Sequence, residues 1–190
     1  MPTVLVIYHS AHGHTRQQAE AVTKGAASIP GVSARALGVD EAQREWQALH
    51  DADALIFGCP TYMGSASAEF KQFMDATSGF WGDQLWRDKI AAGFTNAGAL
   101  SGDKFATLMQ LVTFAAQHSM IWVTQGVLAS AESPGDPIDR LGSWLGSMSQ
   151  SPTGQRKPED SDLATAFAFG ARVAQATVRW ARGVVVQKGK

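Results

Sequence analysis

At 190 residues, 45% of them apolar and 17% charged, the chain has about the length of one domain and enough apolar side chain for one core, which excludes a disordered or low-complexity protein. Sixteen Lys and Arg against 17 Asp and Glu give a net charge of -1, too little field to draw in nucleic acid or a membrane surface. The single Cys59 excludes an internal disulfide, no apolar run is long enough to span a bilayer, and residue 2 leads straight into a strand pattern rather than a signal peptide. The expectation is a single domain over residues 1–190, in a reducing cytoplasm, with no nucleic-acid partner and no membrane insertion.

The stretch TVLVIYHSAHGHT at residues 3–15 reads as a strand, a tight turn and a helix N-terminus. Thr3 to Tyr8 is apolar on both faces, as in a central strand of a parallel sheet covered on each side. Ser10, Ala11, His12, Gly13 and His14 form the turn, and the helical pattern opens at Thr15. The first turn of a helix leaves about four backbone N–H groups without partners and a positive dipole end, so an anion fits there. Ser10 and Thr15 add hydroxyls on either side of Gly13. The alternative is that the hydroxyls merely cap the helix and Gly13 merely turns the chain.

The first helix runs from Arg16 to Ala27 with Ala19, Val22, Thr23 and Ala26 on one stripe, punctuated by Pro30 and Gly31. Val32 to Leu37 alternates like an edge strand, and a charged helix follows around Glu41 to His50. Asp53 to Gly58 is a second buried strand meeting Cys59 and Pro60, with helix from about Ala66 to Ala76. Lys89 to Thr95 reads as the third buried strand, Asp103 to His118 as an amphipathic helix, and Met120 to Gln125 as the fourth buried strand. A Gly-, Ser- and Pro-rich insert at about 126–158 has an apolar pattern only over Ile138 to Leu145; loops this long are usually functional or interface-forming. The last helix, from about Asp162 to Arg182, is capped by Ser161. Alternating strand and helix means a doubly wound α/β sheet with right-handed crossovers.

In such a sheet, ligands sit beyond the carboxyl ends of the strands. Three of those ends carry unusual loops: Ser10 to Thr15; Pro60, Thr61, Tyr62, Met63, Gly64 and Ser65; and Asn96, Ala97, Gly98, Ala99, Leu100, Ser101 and Gly102. They offer anion donors, an aromatic with a thioether, and close backbone approach.

At these loops the chain resembles the flavodoxin-like superfamily, and within it the WrbA-type NAD(P)H:quinone oxidoreductases, through VLVIYHSAHGHT, IFGCPTYMGSASAEFKQFMDATSGFW, AGFTNAG and AAQHSMIWV. In that family S-x-x-G-H after the first strand holds the FMN phosphate and P-T-x-x-G after the third holds the isoalloxazine. The resemblance implies a five-stranded parallel sheet of order 2-1-3-4-5 with helices on both faces. It implies that Ser10, Ala11, His12, Gly13, His14 and Thr15 surround the phosphate, that Pro60, Thr61, Tyr62, Met63 and Gly64 meet the ring, and that Asn96, Ala97, Gly98, Ala99, Leu100 and Ser101 approach its other edge. Trp81 would line the substrate side, His12 would sit by the nicotinamide, and Gln117 or His118 would take the place of a family histidine near the flavin. Tyr62 and His118 are the candidate donors to a quinone oxygen.

Rival sites fail on residues. Gly98 to Lys104 has the outline of a P-loop, but Asp103 replaces the lysine after Gly102. No metal-ligand spacing occurs among the histidines, and Cys59 reads as a buried structural thiol. The implied activity is FMN-dependent hydride transfer from NAD(P)H to a quinone or similar acceptor. The alternatives are a flavodoxin electron carrier, usually strongly acidic, and a module that has lost FMN. Neighbouring subunits complete the site in the family, and six Trp, among them Trp86 and Trp144, suit an interface; the expectation is a homotetramer or dimer.

Overall fold

The computed structural model describes residues 1–127 and 138–184. Strands β1 (Thr3–Tyr8), β2 (Ser33–Gly38), β3 (Ala54–Tyr62) and β5 (Ile90–Ala97) run parallel in the order β2-β1-β3-β5. Register follows hydrophobic parity. Val4, Val6, Ala54, Ile56, Ala92 and Phe94 face a core formed with α1 (His14–Ala27) and α7 (Asp160–Val184). Leu5, Ile7, Leu55, Phe57 and Ala91 face the other, formed with α2 (Val39–Ala42), α3 (Trp46–Asp51), α4 (Ala68–Ala76) and α6 (Lys104–Gln117). Because successive strand residues point to opposite faces, strands covered on both sides must be apolar throughout; β2 alternates because it is an edge.

Helices α1 and α7 touch backbone to backbone. A Cβ on Gly25 would strike the Phe167 carbonyl, and one on Gly170 the Val22 carbonyl, so these two glycines set the crossing.

The expected fourth buried strand is corrected. Only Ile121–Trp122 forms a strand, β6, half-buried against Ile90 and Ala91. The chain then leaves the sheet and returns as β7 (Ser147–Gln150), which pairs with Phe94 to Ala97 higher along the same strand. One sheet position is thus filled twice, giving the 2-1-3-4-5 order a split fifth strand. The return is anchored by Trp122 Nε1 donating to Leu145 O at 2.8 Å and by Gly146, which abuts the Gly93 carbonyl. Part of the expected insert, 128–137, lies outside the described residues.

Smaller differences are local. The helix around Glu41 to His50 divides into α2 and α3. Strand β3 continues through Pro60 and Thr61 to Tyr62 and turns back through the two-residue strand β4 (Ser65–Ala66), so α4 starts at Ala68. Ser161 lies inside α7 rather than capping it. Among the described residues no helix is long and apolar enough to cross a membrane.

Candidate functional site

The carboxyl ends of β1, β3 and β5 open on one crevice of about 490 Å³, within the usual size range of small-molecule sites. Its first wall is the turn before α1. His9 N–H donates to Gly58 O at 3.0 Å, and its Nδ1 lies 2.8 Å from Ser67 Oγ, fixing the turn to β3 and α4. Gly13 takes φ 85°, a left-handed conformation other residues resist, and its N–H donates to Ser10 Oγ at 3.1 Å. Capping goes no further: α1 has no side-chain cap. The N–H groups of Ala11, His12, His14 and Thr15 have no partner among the described residues, and the Thr15 hydroxyl, on a residue 2% exposed, has none either. Ser10 Oγ, having accepted, still has a proton to donate.

The second wall is Pro60, Thr61 and Tyr62. Thr61 Oγ1 sits 2.8 Å from both Thr95 Oγ1 and Thr107 Oγ1, and Thr95 donates to Cys59 O at 2.7 Å. Since each hydroxyl has one proton, the direction is set: Thr107 donates to Thr61, Thr61 to Thr95, Thr95 to the carbonyl. This buried chain locks the Thr61 rotamer. Tyr62 is 40% exposed, and partial burial, then Glu69, raises its phenol pKa; it is a neutral donor at pH 7. Its ring meets His12 edge-on at 6.4 Å.

Asn96, Ala97 and Gly98 make the third wall. A fourth, which sequence reasoning missed, is Ser151, Pro152, Thr153 and Gly154, directly after β7. Asn96 Nδ2 donates to Ser149 Oγ at 2.7 Å and Ser151 Oγ at 2.9 Å, Ser151 N–H donates to Ala97 O at 3.0 Å, and His14 Nε2 donates to Gln155 O at 2.9 Å. The return segment therefore spans the crevice from β5 to α1.

The remaining expected site residues lie elsewhere. Met63 and Gly64 form the two-residue tip of the β3–β4 hairpin, both at positive φ, with Met63 fully exposed. Ala99, Leu100 and Ser101 are exposed beyond the crevice wall, and Leu100 is 63% exposed. Trp81, Gln117 and His118 line a separate groove of about 720 Å³ between α4, the short helix α5 (Ser78–Trp81) and α6, with Met74, Met109 and Phe114. There Trp81 Nε1 donates to Gln117 O at 2.7 Å. His118 is 1% exposed among Trp86, Phe114 and Phe80. Burial pushes its pKa down to about 4, so it is neutral at pH 7. Thr77 donates to Met74 O at 2.7 Å, so His118 Nε2 donates to Thr77 Oγ1 at 2.9 Å, leaving Nδ1 as an acceptor without a partner. Within one chain these three do not line the crevice. Trp86, expected at an interface, is fully buried and donates to His50 Nδ1 at 3.1 Å; Trp144, 57% exposed, remains available. Cys59 is fully buried, its thiol pKa pushed up to about 12 by desolvation.

The crevice donors fit a flavin phosphate: amide N–H groups and hydroxyls at a helix N-terminus, with no Arg or Lys in the lining. A family model described as NADPH-dependent FMN reductase matches residues 2–135. A Pseudomonas aeruginosa (strain UCBPP-PA14) protein named Flavodoxin FldP is 41% identical over 92% of this chain and 96% of its own length. A Geobacter sulfurreducens protein named NAD(P)H dehydrogenase (quinone) is 30% identical over 90% of this chain and 96% of its own. The crystal structure of a flavodoxin, WrbA-like protein from Agrobacterium tumefaciens superposes with a TM-score of 0.75 at 38% identity, covering 94% of this chain and 99% of that one. With a fold and relatives that agree over nearly its whole length, the chain belongs to the NADPH-dependent FMN reductase family, on a flavodoxin-like fold.

Proposed function

We propose that the protein is an FMN-dependent oxidoreductase that takes a hydride from NAD(P)H and reduces a quinone or similar small acceptor by two electrons. When bound, FMN supplies the hydride and electron chemistry. The chain supplies the rest. Ser10, Thr15 and the free N–H groups of Ala11, His12, His14 and Thr15 hold the phosphate; Pro60, Thr61 and Tyr62 carry one side of the ring; Asn96 to Gly98 and Ser151 to Gly154 meet its edge. Preorganised N–H groups stabilise developing negative charge as an oxyanion hole does. Tyr62, a neutral phenol at the crevice mouth, is placed to donate to an acceptor oxygen. One shared stacking face for donor and acceptor predicts ping-pong kinetics. The observation that carries this reading is the cluster of donors at Ala11, His12, His14 and Thr15, unpartnered among the described residues and lining the crevice.

In this reading the exposed Trp81 and Gln117 reach the ring only across a contact between copies, which requires a homodimer or homotetramer, while the buried His118 packs behind them; light scattering tests it. An electron-carrier reading is favoured by the relative named flavodoxin at 41% identity and disfavoured by the net charge of -1, since carriers dock through charge. Anaerobic stopped-flow mixing of the FMN-loaded protein with NADPH separates the two. Bleaching of the flavin band within seconds without a partner reductase is expected, and no bleaching overturns the enzyme.

A further inference from the structure

Beside the crevice lies a buried cation that the functional reading does not use. The loop after β5 ends where α6 begins at Lys104, a residue 1% exposed. Its Nζ donates to the carbonyls of Ala99 at 3.1 Å and Leu100 at 2.9 Å. Among the described residues no carboxylate lies within ion-pair distance of it. Asp162, the acid whose field acts on it, is committed elsewhere: Oδ2 accepts from Arg140 Nη2 and from Gln150 N–H, each at 2.8 Å, and Arg140 Nε is 2.8 Å from Oδ1. Arg140 adds a second positive charge on the same side. Burial pushes the Lys104 pKa down to about 8, which keeps it charged at neutral pH.

A buried ammonium bound only to carbonyls is costly, and a methionine would fill the same space. Two consequences follow from its placement. The carbonyls of residues 99 and 100 are held inward, while the N–H groups of Gly98, Ala99, Leu100 and Ser101 have no partner among the described residues. A positive charge without a carboxylate in direct contact among the described residues also sits against the loop whose first residues, Ala97 and Gly98, wall the crevice.

We propose that Lys104 is a positioning residue for the reduced cofactor: it fixes the 98–101 loop with its amide donors free, and its charge tightens binding of the reduced, negatively charged flavin over the oxidised one. The inference rests on FMN occupying the crevice. A low-dielectric surrounding strengthens the effect of such a charge on a neighbouring one.

The test measures the two-electron midpoint potential of bound FMN, with the affinity for oxidised FMN titrated by fluorescence, in the full-length protein and in Lys104→Met and Lys104→Gln. Gln keeps a donor for the carbonyls and removes the charge. The expected result for both variants is at least a tenfold loss in the ratio of reduced to oxidised affinity, a fall of about 30 mV for a two-electron couple, with oxidised FMN held within threefold in the Gln variant. A Gln variant with wild-type potential makes Lys104 a structural clamp alone and overturns the proposal. If neither variant folds, the unsubstituted protein decides: a bound potential above that of free FMN supports the proposal, and one at or below it overturns it. Failure of the unsubstituted protein to take up FMN at all overturns the functional reading and this inference together, a result distinct from bound FMN with unchanged potential.

Discussion

The two largest concavities found among the described residues differ less in size than in what their walls leave unpaired. The groove between α4, α5 and α6, at about 720 Å³, is the larger; Met74, Met109, Phe114 and Trp81 line it beside polar residues such as Gln110 and Thr113, and among its described lining residues the buried polar side-chain atom without a partner is His118 Nδ1. The crevice at the strand ends, about 490 Å³, has at one wall the N–H groups of Ala11, His12, His14 and Thr15 and the Thr15 hydroxyl, which nothing in the described chain satisfies. Volume alone does not choose between them. An anion is recognised where donors converge without partners, whereas an apolar trough with one buried acceptor suits a flat surface pressed over it.

The sharpest way to break that contrast is to put a carboxylate in each. Ser10→Asp sets a negative charge among the donors proposed to hold the phosphate, and like charges side by side cost several kcal/mol. FMN affinity should fall at least a hundredfold by fluorescence titration, while Thr113→Asp, on the exposed rim of the groove, stays within threefold. Equal losses at both positions would erase the distinction.

His118 sharpens the groove's side by pH. In the unfolded chain this imidazole protonates below its ordinary pKa of 6.5, and in the fold only near pH 4. Between those values the folded state binds fewer protons, so the stabilisation is complete above pH 6.5 and is lost progressively as pH falls to about 4, by about 2–3 kcal/mol. His50, whose pKa burial and Lys89 also lower, acts in the same direction. The measurement is urea unfolding from pH 7.5 to 4.5 with His118→Phe as comparator, and an acid limb as steep in the variant would place the titration elsewhere.

A smaller effect is expected of Thr95→Val. It leaves the Thr61 hydroxyl without its acceptor and the Cys59 carbonyl without its donor, a cost of about 1–2 kcal/mol, read by thermal unfolding. FMN affinity should drop by less than in Ser10→Asp, because Thr61 loses its orientation but the phosphate donors are untouched.

How much of this was legible in the sequence follows from what each element is made of. The first turn and the buried strands could be read because β-branched runs, Gly13 and the helix periodicity are local signals. The fourth wall could not. Ser147, Ser149 and Ser151 are buried, yet they are small and polar, Ser149 and Ser151 because they meet Asn96 through hydrogen bonds rather than packing, so neither hydropathy nor periodicity marks them. Alternation in Ser147-Met148-Ser149-Gln150 is the one trace, and the surrounding Gly and Pro mask it. The split fifth strand was hidden for the same reason: its two halves pair with different parts of β5, a fact of register. Lys104 draws no role from the sequence, since Asp103 stands at the P-loop lysine position, and only burial reveals what it holds.

The least effect is expected at Met63, and it is the most discriminating test of whether one chain makes the whole site. Met63 sits at φ 49° beside Gly64 at φ 74°, the two central positions of a type I′ turn, where Asn is favoured over an unbranched apolar side chain. Met63→Asn should therefore raise stability by a few tenths of a kcal/mol, since the side chain is fully exposed and packs on nothing. If the crevice walls of a single chain suffice for the ring, FMN affinity in the dilute protein stays unchanged. A loss of tenfold or more, appearing only at concentrations where copies associate, would instead put the thioether against a ring or a groove belonging to a second copy, and the two concavities would then be halves of one site.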